Sequence, residues 1–360
     1  MNNAKKLHIA LCVGEKSGDL IGAPLLAELQ QRFPNAQFSG VGGEEMAALG
    51  FNSLVPLEKL AVMGLVEVLG RLLELWRLRR RLLNYWRDNP PDLFVGIDAP
   101  DFNLPIARQL KQRGVKTVHY VSPSLWAWKS WRIHGIKKSV DLMLCLFPFE
   151  TEIYRRHQLP AICVGHPMRD RLQPIDMDKA RQLLHLPLGA KILGIFPGSR
   201  ASERQRLAPI FIATAQRLEK ENYLILSQPG ADLPEEFLVK DAASELLMAA
   251  CDLLLLKSGT ITLEAALLQR PMVVSYRVHG LTALIARMLL KIKRFALPNI
   301  LLGRELVPEL MQENCTVDRL ERALLQVNPA EQLAGFRELG ALLPHQASAK
   351  AAAAIGDLLC

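Results

Sequence analysis

The sequence predicts an α/β protein built from two doubly wound parallel-sheet domains, and three observations carry that prediction. Short apolar runs rich in β-branched residues recur along the 360 residues, each followed by a turn signal and a longer stretch with helical spacing; this is the pattern of buried parallel strands joined by helices. The pattern restarts near residue 190, where KILGIFPGSR repeats the strand, polar Gly/Ser turn and helix that LHIALCVGEKSGD sets out at the start. Between the halves, residues 165–178 (GHPMRDRLQPIDMD) are dense in Pro and charge and read as an interdomain linker. The expected division is 1–165, 166–345 and a closing helix over 346–360, with a ligand in the cleft facing the carboxyl ends of both sheets.

In the first half the strand signals fall at residues 7–13, 38–41, 93–97, 117–121, 142–147 and 162–164; in the second, at 192–196, 224–226, 253–256 and 272–275. Residues 60–86 predict a long helix. Glu67, Arg71, Glu74 and Arg81 make one polar stripe, and Val66, Leu69, Leu72, Leu73, Leu75 and Trp76 fill most of the remaining circumference. Such a helix, ending in Arg77, Arg79, Arg80 and Arg81, either packs in a domain or lies in a bilayer interface with its cations on lipid phosphates.

Half of the residues are hydrophobic and 22% are charged, which excludes a disordered polyelectrolyte and a coiled-coil rod. The longest clean apolar run, residues 142–149, is too short to span a bilayer. The N-terminal apolar stretch passes straight into a polar turn, so it reads as a first strand rather than a secretion signal. Six scattered cysteines read as reduced thiols of a cytoplasmic protein, and the eight histidines form no pair at metal-ligand spacing, so neither metal nor cofactor is expected. His119 and His166 remain candidates for substrate contact. The 44 Lys plus Arg against 36 Asp plus Glu give a net charge of +8, which fits nucleic acid, an anionic membrane surface or a phosphate-bearing substrate.

Five turns carry candidate chemistry. Gly14-Glu15-Lys16-Ser17-Gly18-Asp19 opens a helix directly after the first strand, suiting an anion or hydroxyl-rich ligand, or simply an N-cap by Ser17 or Asp19. Gly96-Ile97-Asp98-Ala99-Pro100-Asp101 ends an apolar strand. Asp98 there is placed to act as a general base, and Asp101 to cap the next helix. Trp126, Trp128 and Trp131, interleaved with Lys129 and Arg132, either pack under a loop or stack on a sugar, lipid or base. Ser199 and Arg200 of Pro-Gly-Ser-Arg pair a forked cation with a helix start, as phosphate sites do. Ser258, Gly259 and Thr260 form a turn suited to a diphosphate, with Glu264 one turn further on for ribose hydroxyls.

Together these motifs resemble lipid-A-disaccharide synthase. The resemblance is carried, in family order, by GEKSGD, LAVMGLVEVLG, FVGIDAPDFN, HYVSPSLWAW, FPFE, GHP, PGSR, SGTITLE, PMVVSYR and LPNILLGRELVPEL. It implies a GT-B fold and an inverting, metal-independent transfer that joins UDP-2,3-diacylglucosamine to 2,3-diacylglucosamine 1-phosphate (lipid X), giving a β-1,6 disaccharide and UDP. It also implies a peripheral protein on the cytoplasmic face of the inner membrane, touching anionic lipids, and a homodimer with swapped C-terminal segments. Asp98 matches the family's essential acid and Arg200 its essential basic residue; Glu15, Ser17, Asn299 and Glu305 fall in its cleft-lining motifs. Compared with the family pattern, residues 226–247 are short by about one helix-strand unit.

The rival readings are another GT-B enzyme, such as a UDP-sugar 2-epimerase, and a non-catalytic membrane-associated sugar-nucleotide binder. An RNA-binding protein has no recognition motif here to support it. Much of the positive charge falls at Arg77 to Arg81, residues 129–138 and residues 287–294, beside apolar or aromatic stretches, so lipid head groups and a phosphorylated substrate explain it better than nucleic acid does.

Overall fold

The computed structural model describes residues 6–60, 65–126, 130–230, 233–278 and 293–359, with the side chains of 65–72 and of 130 left aside. The chain separates into two compact units, Met1–Pro167 with Pro344–Cys360, and Met168–Leu343.

The first unit holds β1 (His8–Val13), β2 (Gln37–Val41), β3 (Leu93–Ile97), β4 (Lys116–Tyr120), β5 (Leu142–Cys145) and β6 (Ala161–Cys163). Its helices are α1 (Lys16–Arg32), α2 (Glu44–Ala48), α3 (Leu65–Asp88), α4 (Pro100–Lys111), α5 (Ile133–Lys137) and α6 (Pro148–Arg156). The strands pair in parallel in the order β2-β1-β3-β4-β5-β6. β1 and β3 are buried along their whole length, which is why their sequences run apolar without alternation. The chain leaves β1 for β2 on one side and returns to β3 on the other, so the point where the order reverses lies between β1 and β3. The C-terminal helix Ala347–Leu359 packs on α1 and so belongs to this unit. Its small residues allow a close approach: a side chain at Gly356 would run into Arg32.

The second unit holds β7 (Lys191–Phe196), β8 (Tyr223–Ser227), β9 (Leu238–Val239), β10 (Leu253–Lys257), β11 (Met272–Tyr276) and β12 (Glu309–Met311), in the parallel order β12-β11-β10-β7-β8-β9. Here the order reverses between β7 and β10. Its labelled helices are α7 (Met168–Arg171), α8 (Met177–Leu183), α9 (Ala201–Glu219), α10 (Ser244–Ala249) and α11 (Ile261–Leu267). One face of the sheet is covered by Leu207, Phe211 and Leu218 of α9 with Leu320 and Leu324, the other by Met248, Ala265, Ala266 and Phe336.

Two sequence expectations are corrected. The stretch 165–178 is not all linker: it contains α7, and Asp176 caps α8 by accepting from Lys179 N at 2.9 Å. Within residues 226–247 a strand is present and the connection to it is short. β9 forms beside β8, but residues 228–237 join them with no helix among the described residues, where a parallel crossover ordinarily takes a dozen or more residues. Strands β9 and β12, two and three residues long, are too short to show as apolar runs. Among the described residues no helix is long and apolar enough to cross a membrane.

Candidate active site

In the first unit Val13 and Ile97 are register partners at the ends of β1 and β3, so the turns that follow them, carrying Glu15 and Asp98, emerge side by side at the reversal point. The two turns nearly touch. A Cβ at Gly14 would lie 2.1 Å from that of Ala99, so only glycine fits there. Asp98 and Ala99 both take left-handed backbone, with φ of 53° and 41°, a conformation that costs a non-glycine residue about 1–3 kcal/mol and persists only where surrounding contacts impose it. Those contacts include Asp98 N donating to Tyr120 O at 2.8 Å and the Asn103 carboxamide donating to Asp98 O at 2.8 Å.

Burial and then the facing Glu15 carboxylate push Asp98 up to about 6, against a hydrogen bond from the Ala99 backbone that favours the charged form. Ser17 Oγ donates to Glu15 Oε1 at 2.7 Å, so Glu15, Ser17 and Asp98 form one cluster. Asp19 stands apart: buried, it accepts from Gly43 N at 2.8 Å and Glu45 N at 2.9 Å, capping α2 rather than its own helix. Asp101 makes no cap either, pairing with Arg132 at 2.5 Å. His119 is fully buried, and burial, followed by Arg132, lowers it to about 3, so it is a neutral ring beneath the site. His166 is also buried, against the Phe147 ring.

Beyond β4, Trp126 meets Phe149 edge to face at 5.5 Å. Glu150 accepts from Leu146 N and Phe147 N at 3.1 and 3.0 Å, and burial raises it to about 7 despite those donors. Trp131 is exposed; Trp128 lies outside the described residues. On α3, Leu78, Leu82, Leu83 and Trp86 are buried, and Trp86 Nε1 donates to Ser39 Oγ at 3.0 Å. Leu73 and Trp76 stay exposed, at 58% and 51%, Leu75 is half-buried, and Arg80 lies over the Trp76 ring at 5.3 Å. The side chains of Val66, Leu69 and Leu72, and residues 287 and 291 of the second basic patch, lie outside the described residues.

In the second unit Phe196 and Leu256 are register partners, and the turns after β7 and β10 meet in a charge network that the motifs did not foretell. Glu203, 5% exposed, accepts through Oε1 from Lys257 Nζ at 2.9 Å and from Arg200 Nη1 at 3.1 Å. Gly198, at φ 119°, makes room for that carboxylate, since a Cβ would come within 2.6 Å of Glu203 Oε2. Lys257 also lies over the Tyr276 ring at 5.6 Å. The available signals were the spacing of three from Arg200 to Glu203 and the Lys directly before Ser-Gly-Thr.

Ser199 and Thr260 are exposed, and Gly259 is half-buried beside Lys257. Ser258 Oγ donates to Phe295 O at 3.1 Å. Glu264 is buried and accepts from Ser244 Oγ at 3.0 Å; burial raises its pKa while that bond opposes the shift. Asn299 is fully buried, donating to Val307 O and Glu309 Oε1 and accepting from Leu306 N and Val307 N. Its carboxamide is spent on shaping the segment beside Glu305, which is exposed.

Two Rossmann-like units, each with its candidate residues at the reversal point of its sheet, define a GT-B protein. Solved structures agree on the fold. The glycotransferase of kitacinnamycin aligns with TM-score 0.67 and 16% identity over 99% of this chain and 100% of its own. The UDP-GlcNAc 2-epimerase from Neisseria meningitidis, bound to UDP-GlcNAc, aligns with TM-score 0.66 and 12% identity over 98% and 99%. Within that class the chain belongs to the lipid-A-disaccharide synthetase family, whose model matches residues 9–335, and membership makes it a glycosyltransferase. A lipid-A-disaccharide synthase of Alcanivorax borkumensis is 46% identical over 98% of this chain and 97% of its own length.

Proposed function

We propose that the chain joins UDP-2,3-diacylglucosamine to 2,3-diacylglucosamine 1-phosphate in a single inverting displacement, with Asp98 as the base. The carrying observation is Asp98 itself: a carboxylate held in a left-handed turn at the sheet's reversal point, with its proton affinity raised to about 6. At neutral pH it is ionised yet basic enough to take a proton. It removes the proton of the acceptor 6-hydroxyl as that oxygen bonds to the donor anomeric carbon; the bond to the diphosphate breaks and its electron pair leaves with UDP. Glu15 and Ser17, hydrogen-bonded to each other, flank Asp98 and orient the acceptor sugar.

Charge developing on the leaving diphosphate is offset by Arg200 and by the polar groups of Ser199, Ser258, Gly259 and Thr260. Glu264 faces the ribose, and Asn299 shapes the loop that presents Glu305. The exposed Leu73 and Trp76, with Leu75, Val66, Leu69, Leu72 and the neighbouring arginines, dock on anionic lipids at the cytoplasmic face of the inner membrane and guide acyl chains to the site. The protein works there as a peripheral homodimer with swapped C-terminal segments.

The test is incubation with both acylated sugars. Disaccharide and UDP in equal amounts support the reading. UDP binding without product supports a non-catalytic binder, and isomerisation of a UDP-sugar at carbon 2 supports the epimerase.

A further inference from the structure

We propose that Asn103 is the positioning residue of the acidic centre, its carboxamide fixing the turn that carries Asp98 and tying it to the strand that leads to Glu15. The proposal rests on the reading of Asp98 as the base. Asn103 lies on α4 and is fully buried. Its Nδ2 reaches three carbonyls: Asp98 O at 2.8 Å, Cys12 O at 3.0 Å and Ile97 O at 3.3 Å. Cys12 belongs to β1 and Ile97 to β3, so one amide group gathers the ends of both strands at the reversal point.

The amide is engaged through its donors alone. Asn103 Oδ1 is buried with no hydrogen-bond partner, an arrangement with a cost that persists here beside two consecutive left-handed residues. Asn103 N also donates to Ala99 O at 3.0 Å, so backbone and side chain hold both strained residues. Gly96 makes the room, since a Cβ there would lie 2.8 Å from that of Asn103. No other residue type of this size offers two donors without a charge. An isosteric Asp would set a carboxylate against three carbonyl oxygens.

Among the described groups facing Asp98, Glu15 is the charged one on the β1–α1 turn. On α4, Asp101 is engaged by Arg132 and faces Arg79 of α3, and His119 of β4 below is neutral. With Asn103 removed, the two acids are no longer held together.

The test is steady-state kinetics of Asn103→Ala and Asn103→Asp, alone and in an Asp98→Asn background. Both single variants are expected to lose about 100-fold in kcat with KM for either sugar within threefold, and the acid limb of Asn103→Ala is expected to move below its wild-type position. In the Asp98→Asn background Asn103→Ala costs no further activity, because it acts only through Asp98. Urea unfolding with the wild-type m-value confirms that each variant is folded. An Asn103→Ala variant that keeps turnover and its acid limb while Asp98→Asn loses turnover overturns the positioning role alone. So does a full additional loss in the Asp98→Asn background. An Asp98→Asn variant that keeps wild-type turnover overturns the reading of Asp98 as the base.

Discussion

Lys257 Nζ lies 2.9 Å from Glu203 Oε1, an oxygen it shares with Arg200, and both partners are largely withdrawn from water. The pair ties the end of β10 to the first turn of α9, holding two cations at one place between the turns after β7 and β10. Removing Lys257 leaves the buried Glu203 with the half-exposed Arg200 alone, and removing Glu203 strands Lys257, whereas replacing both by apolar groups leaves neither charge buried. We predict that Lys257→Met lowers unfolding free energy by about 2 kcal/mol and that Lys257→Met with Glu203→Leu loses less than the sum of the single variants, by about 1–2 kcal/mol of coupling. Urea unfolding of the four proteins measures both numbers.

Asp98 holds its proton up to about pH 6 in the folded protein, against an ordinary value of 3.8. The folded state therefore binds more protons than the unfolded chain between those values, and stability falls as pH rises through that window. Asp98→Asn removes the charge and should stabilise the protein at pH 7.5 by up to about 3 kcal/mol, with no gain below pH 4. Urea midpoints at the two pH values decide it.

With Asp98 as the proposed base, the same proton is expected to govern turnover. Below pH 6 the base is lost to protonation, so kcat/KM should fall about tenfold per unit of pH, and the limb should move down in Glu15→Gln, which removes the facing negative charge. A pH–rate series for the two proteins measures the shift.

Gly14 is bound to its place by Ala99 across the turn. Gly14→Ala forces the two turns apart, and because it displaces Asp98 we expect kcat to drop about 100-fold while the melting shift with UDP, whose proposed contacts lie on the second unit, is retained.

Among the described residues, Leu73 and Trp76 of α3 are more than half exposed, with Arg80 over the Trp76 ring. Leu73→Ser with Trp76→Ser should reduce partitioning onto anionic vesicles at least tenfold, since each side chain contributes about 1.5–3 kcal/mol when fully buried, and should leave the melting temperature unchanged. Vesicle sedimentation and a thermal scan check both halves.

The sequence made most of this legible where the signal is a run of residues. Strands such as β3 and β10 are apolar from end to end, and the turns that follow them hold Gly with an acid or a hydroxyl, so Asp98, Arg200 and Ser258 could be picked from the chain. What stayed hidden depends on contacts between distant segments. Asp19 reads as a cap for α1 but caps α2, because β2 brings Gly43 back to it. Asn299 reads as a ligand contact, yet its amide is used on residues 306, 307 and 309. Glu203 stands in the sequence only as an acid three residues after Arg200, and the return of β10 beside β7 brings Lys257 onto it.

Asp98 is the residue proposed to take the acceptor's proton. Disaccharide and UDP formation by wild type and by Asp98→Asn, with UDP affinity measured on the same samples, tests that role most directly. Asp98→Asn is expected to lose at least about a thousandfold in turnover and to bind UDP as wild type does; turnover within about tenfold of wild type would remove Asp98 from the role of base.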